Sequence, residues 1–143
     1  MNPLTNIYQC QDGRWIRLQH MQPDRYWKGF AEVLGIPDLV DDPKFHDMAT
    51  RRENGEELAG ILNERFGARP YDEWYHAFRA KGDFIYDKVQ SLSDLAGDPQ
   101  VIANNFITTF DPPALGPTKM CAHPNTYSET PADIWREAPE LGQ

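Results

Sequence analysis

Histidines, cysteines and paired carboxylates are the residues of this 143-residue chain whose types could do chemistry. His20, His46, His76 and His123 lie in separate stretches, and none has the i, i+4 partner that sets two imidazoles on one helix face around a metal. No metal site is expected. Cys10 and Cys121 are far apart and lack ligand spacing or a nucleophile signature, so they read as reduced thiols in a cytoplasmic protein. There is no Gly-x-Ser-x-Gly elbow, no Gly-rich phosphate loop and no dinucleotide fingerprint. The carboxylate pairs Asp41/Asp42 and Glu56/Glu57 sit in polar settings, where a solvated face is the default and the shifted pKa of an acid-base catalyst is not expected. By residue chemistry alone, the chain lacks a complete active site. One stretch stands apart: Gln19-His20-Met21-Gln22 precedes Pro23 where the chain leaves a strand and enters a helix, a position that can present side chains to a ligand.

The elements that must hold this stretch are legible. Asp12-Gly13 tolerates the positive φ of a tight turn, so residues 6–9 and 14–18 read as a β-hairpin. Pro23 and Asp24 open a helix whose Trp27, Phe30, Ala31 and Leu34 recur at helical spacing, and Gly35 with Pro37 closes it. An acidic connection leads to a second helix from about Thr50, burying Leu58, Ile61, Leu62 and Phe66 before Gly67. Pro70 starts a third, with Tyr71, Trp74, Tyr75 and Phe78 on one face and Gly82 as its stop, expected to pack antiparallel on the second. His76 then falls at the edge of that face, and His46 in solvent. "FIYDKV" alternates like a strand, Ser91 can cap "LSDLA", Asp98-Pro99 can start a short turn, and "FITTF" and "TKMC" can supply two more strands. The expected class is α+β: three main helices with a small, mostly antiparallel sheet, then a proline-rich extended tail, since "DPPALGP" and the later prolines forbid a long helix.

Composition excludes several function classes. With 14 Lys+Arg against 22 Asp+Glu the net charge is -8, and the arginines are scattered in pairs, so a nucleic-acid backbone would be repelled. No apolar run approaches the roughly 18 residues of a membrane helix, and no secretory leader is visible.

"NPLTNIYQCQDGRWIRL", the loop before "YW", "GIPDLVDDPKF", "TRRENGEEL", "DEW", "LAGDPQV", "SETP" and "APELG", in that order, resemble the smaller domain and returning linker of family III CoA-transferases. The resemblance implies a small domain over residues 1–115 and a linker over 116–143 that returns toward a large Rossmann-like domain. It further implies a parent about three times this length, an excised or truncated segment here, an interlocked homodimer, and acyl-CoA and carboxylic acid substrates. The family's nucleophilic aspartate matches no position of this sequence, so no catalytic residue is assigned. The loop after the second strand faces the acyl end in that family, which makes Gln19, His20, Met21 and Gln22 the substrate-binding candidates. The segment itself is expected to bind no cofactor, coenzyme A thioesters being substrates of the parent.

Three departures from the family pattern are visible. Racemase members carry a glutamate before the proline, where this chain has Gln22, and an amide cannot exchange a proton as a carboxyl does. CoA transfer is therefore preferred over racemization, for which His20 would be the nearby base, and over a free-standing interaction module. The formyl-CoA type has a glycine-rich loop here, and "LQHMQPD" contains no glycine. "GDFIYDKV" also lacks the proline the family usually shows before the valine.

Overall fold

The computed structural model describes residues 2–113, 116–134, 136, 139 and 142. They form two compact units, residues 1–89 and 90–143. The first contains β1 (Ile7–Gln9), β2 (Trp15–Leu18), α1 (Pro23–Leu34), a 3-10 turn (Pro37–Val40), α2 (Met48–Glu53), α3 (Gly55–Gly67), α4 (Tyr71–Lys81) and β3 (Tyr86–Val89). The three strands make an antiparallel sheet in the order β1-β2-β3, with Tyr8 opposite Ile16 and Leu18 opposite Tyr86.

Local chemistry explains most boundaries. Gly13 takes a φ of 80° in the β1–β2 turn, a conformation that a side chain would strain. In the same turn the Asp12 carboxylate accepts the Tyr71 N–H at 3.2 Å, so the hairpin also satisfies a free donor at the start of α4. Pro23 occupies the first turn of α1, and left-handed Gly35 ends it, with the Ile36 N–H donating back to the Ala31 carbonyl at 2.9 Å.

The helix expected from about Thr50 is two helices. Asp47 caps α2 by accepting the Thr50 N–H at 2.8 Å, which moves the start to Met48. The chain then breaks at Asn54, whose ψ of 28° leaves the helical range and whose side-chain amide takes the Thr50 carbonyl at 2.9 Å. The break lets α2 aim Arg51 inward, apart from the apolar stripe of α3.

The core lies between the sheet and the helices. Tyr8, Ile16 and Leu18 from the sheet meet Trp27, Phe30, Leu34, Leu58, Leu62, Phe66, Trp74 and Phe78, all buried. Tyr8 stacks on Phe66 at 5.1 Å and its hydroxyl donates to the Pro3 carbonyl at 2.7 Å, so the aromatic body is buried with its polar tip satisfied. The expected pairing of the Leu58 and Trp74 helices is corrected here: α4 packs along α1, while it meets α3 through Trp74 and Phe78 against the Phe66 ring near the end of α3.

The second unit contains α5 (Leu92–Leu95), α6 (Pro99–Ala103) and an antiparallel pair, β4 (Ile107–Phe110) with β5 (Thr118–Cys121). Ser91 and Asp94 form a capping box in which the Asp94 carboxylate accepts the Ser91 N–H at 2.9 Å, and Asp98 caps α6 by accepting from Gln100 and Val101. The strands therefore belong to two small antiparallel sheets, and the class is α+β. Among the described residues after Cys121 none is in a helix or strand, and most of "APELG" lies outside the described residues. No helix among the described residues is long and apolar enough to cross a membrane.

Candidate functional site

The β2–α1 loop is built by the strand that enters it and the helix that leaves it. Past Leu18 the ladder to β3 runs one residue further, the Gln19 N–H donating to the Ile85 carbonyl at 3.0 Å. On the other side the His20 N–H donates to the Leu4 carbonyl at 3.0 Å. The loop is thus tied to two neighbouring segments before Pro23 fixes φ and α1 begins.

The four candidates do not share one environment. Gln19 is half-buried, with its carbonyl oxygen accepting from Arg17 Nη2 at 3.1 Å and its amide 3.5 Å from Met21 Sδ. Met21 is 70% exposed, and Gln22 is exposed at the N-cap of α1 without capping the helix through its side chain. His20 faces the other way and is fully buried. Its ring sits among Tyr26, Phe30 and Phe84, with centroids 4.7, 5.5 and 5.8 Å away.

Hydrogen bonding assigns the His20 tautomer. Nε2 accepts the Ile85 N–H at 3.2 Å, so this nitrogen carries no proton and Nδ1 does. Nδ1 has no hydrogen-bond partner, and burial pushes the pKa down from 6.5 to about 4. The imidazole is neutral at physiological pH and presents no nitrogen to solvent. The surface of the loop consists of Gln19, Met21 and Gln22: two amides and a thioether, which can hydrogen-bond and pack but do not exchange protons near neutrality.

Sequence reading did not place Phe84 and Ile85 at this loop. Phe84 packs on Phe78 as well as His20, and its Cζ would lie 3.2 Å from a Cβ added at Gly29 of α1. Ile85 is 48% exposed beside Gln19. The signal that could have found them is the alternation of "FIYDKV", once Tyr86 is set opposite Leu18.

The exit of the loop is clamped from α2. Buried Arg51 donates Nη1 to the Phe45 carbonyl at 2.7 Å and Nη2 to Asp24 in the first turn of α1, and its guanidinium covers Trp27 at 4.8 Å. Burial lowers the Arg51 pKa, and Asp24 pulls it back up.

The remaining histidines stand elsewhere. His46 is exposed and 3.2 Å from Asp47, His76 is exposed beside Tyr75, and His123 lines a polar cavity of about 220 Å³ in the second unit with Asn105, Asn125 and Tyr127. Among the described residues no three His, Cys, Asp or Glu side chains cluster to hold a metal.

Comparison with known proteins shows the family and the fold. The chain is 28% identical to an (R)-2-hydroxy-4-methylpentanoate CoA-transferase of Clostridioides difficile over 99% of its length, which is 35% of that enzyme. It is 28% identical to the human succinyl-CoA:glutarate CoA-transferase over 79% of its length, 26% of that enzyme. It therefore spans about a third or less of these relatives. A solved CAIB/BAIF family protein from Brucella suis shares the fold, with a TM-score of 0.76 at 22% identity over 96% of this chain and 34% of that one. A family model described as CoA-transferase family III matches residues 1–143, and the chain belongs to that family.

Proposed function

We propose that this chain is the small-domain portion of a CoA-transferase that moves CoA from an acyl-CoA donor to a carboxylic acid acceptor. The observation that carries the reading is the family match along all 143 residues, with relatives named as CoA-transferases. In this reading the nucleophilic aspartate belongs to a large domain beyond these residues. Its carboxylate attacks the donor thioester, giving a mixed anhydride and CoA thiolate. The thiolate attacks the aspartyl carbonyl, releasing the donor acid and leaving an aspartyl-CoA thioester. The acceptor carboxylate then forms a second anhydride, from which the thiolate takes the acceptor acyl group and regenerates the aspartate. Dividing one hard exchange into such steps is the gain of covalent catalysis.

The contribution of this chain is the loop. Gln19, Met21 and Gln22 cover the acyl end, exclude water from an anhydride that would otherwise hydrolyse, and shape the space for the acyl group. His20 acts from behind by holding the loop. The geometry supports transfer over racemization, because neither the buried imidazole nor the Gln22 amide can serve as a proton-exchanging group at the loop surface. An interlocked homodimer, a cytoplasmic setting and a linker role for residues 116–143 belong to the same proposal.

The test is made in the complete CoA-transferase carrying this chain. Gln22→Ala is expected to change the preference among acyl-CoA donors or raise wasteful hydrolysis, leaving the KM for CoA within about twofold; a loss of about 1.4 kcal/mol of transition-state stabilisation would appear as a tenfold fall in rate. Unaltered kinetics across several donors for both Gln22→Ala and Gln19→Ala would remove the loop from the acyl site. Measurable CoA exchange by the 143-residue chain alone would overturn the division of labour.

A further inference from the structure

We propose that Ile85 is a specificity-determining residue of the acyl site, supplying an aliphatic wall beside the β2–α1 loop. This rests on the reading that the loop faces the acyl group. Sequence distance hides the relationship, since Ile85 lies 65 residues from His20.

The argument begins where the sheet ends. Leu18 pairs with Tyr86, and the Gln19 N–H still reaches the Ile85 carbonyl at 3.0 Å. Beyond that the strands diverge, because Pro23 turns the chain into α1, and the Ile85 N–H would be left without a backbone acceptor. His20 Nε2 takes that donor at 3.2 Å, an imidazole standing in for a carbonyl. Ile85 is therefore bonded to the loop through both its N–H and its C=O.

Its neighbours fix the direction of its side chain. Phe84 turns inward onto His20 and Phe78, against the side of α1 left open by Gly29. Tyr86 turns inward as well, its hydroxyl donating to the Tyr75 carbonyl at 3.0 Å. Period-two alternation leaves Ile85 outward, on the side of Gln19. A lone exposed isoleucine is ordinary on protein surfaces. This one is distinguished by its double backbone tie to a loop whose other exposed side chains are amides and a thioether. Those groups can meet the polar carbonyl end of an acyl group, and Ile85 can meet its hydrocarbon. The ligand class is an aliphatic acyl group, with the bulk of residue 85 setting how much chain or branching fits.

The experiment compares donors in the complete enzyme. Ile85→Ala is expected to shift kcat/KM toward longer or branched aliphatic acyl-CoA donors, and Ile85→Phe toward shorter ones, each by about tenfold in the ratio, the scale on which an apolar pocket discriminates. The KM for CoA stays unchanged. Ile85→Val is a milder variant with a smaller shift toward longer donors, and Val89→Ala, on the same outward side without a tie to the loop, keeps the wild-type profile. If Gln22→Ala moves donor preference while Ile85→Ala, Ile85→Val and Ile85→Phe all track the wild type, this inference is overturned and the loop assignment stands. If neither position moves it, both are overturned. A Val89→Ala shift equal to that of Ile85→Ala also overturns it, by making the effect a general property of the sheet face.

Discussion

The guanidinium of Arg51 lies 4.8 Å above the ring of Trp27, in a part of the core otherwise made of apolar side chains. The same group holds the Phe45 carbonyl and Asp24, joining the connection before α2 to the first turn of α1. Removing it strands a buried carbonyl, loses the cation–π contact and opens a void. Arg51→Ala is expected to cost about 3–5 kcal/mol. Arg51→Lys, which keeps the charge without the planar fork, is expected to cost about half as much. Urea unfolding followed by tryptophan fluorescence measures both, and equal, small losses would show that the clamp adds nothing beyond volume.

Stability should fall with acid through His20. Its folded pKa of about 4 lies below the ordinary 6.5, so the unfolded chain binds the proton more readily. The stabilisation is complete above about pH 6.5 and is lost between there and pH 4, a difference on the order of 3 kcal/mol. Carboxylates also contribute to the total pH dependence, so the reading is the difference between wild type and His20→Gln. Parallel stability curves for the two proteins from pH 7 to 4 would contradict the burial of a neutral imidazole.

Two glycines in helices should respond differently to alanine. Gly60 in α3 is exposed with nothing within 4 Å of an added Cβ, so Gly60→Ala is expected to stabilise by about 0.5–1 kcal/mol. Gly29→Ala makes the same helical gain but pushes on Phe84 at 3.2 Å, and Gly29→Val pushes further. Thermal unfolding should rank Gly60→Ala above Gly29→Ala and Gly29→Ala well above Gly29→Val. Equal effects at residues 60 and 29 would show that Phe84 yields freely.

Free CoA should not bind the 143-residue chain at micromolar concentrations. The net charge of -8 opposes a phosphorylated ligand, and the arginine pairs are dispersed along the sequence. Calorimetry at low ionic strength, where attraction to phosphate would be strongest, is expected to show only dilution heat. Micromolar affinity would move the nucleotide site onto this domain.

Gln22→Glu tests the boundary between transfer and racemization. If the loop lies over the acyl carbon, a carboxylate at this position should confer exchange of an α-proton with deuterated solvent in the complete enzyme, slow but measurable by mass spectrometry. Absence of exchange, with transferase activity retained, would place residue 22 away from that carbon.

Much of the first unit was legible because its signals are local. Asp12-Gly13 marked the hairpin, Pro23 and Gly35 bounded α1, and Trp27, Phe30 and Phe78 announced the core by spacing. What the sequence hid depends on partners distant in the chain. The break at Asn54 makes sense only once Arg51 is seen to reach Phe45 and Asp24. Packing of α4 along α1 is likewise a tertiary choice that helical periodicity does not encode. At the site, exposure of Met21 and Gln22 followed from a polar loop ahead of a proline. The burial of His20 did not, because Phe84, more than sixty positions later, forms part of its enclosure.

The tethering of the loop divides it into parts that can be rebuilt and parts that cannot. Gln19 and His20 are fastened to the sheet side, and the Gln22 carbonyl already receives the Arg25 N–H of the helix. Met21 stands between the two fastenings. An inserted residue or a grafted peptide at that point would lengthen the loop without asking the strand register or the helix start to change, whereas an insertion one residue earlier would pull the imidazole off Ile85. Within this loop Met21 is therefore the splice point, bounded by the His20 tie on one side and the Gln22 carbonyl on the other.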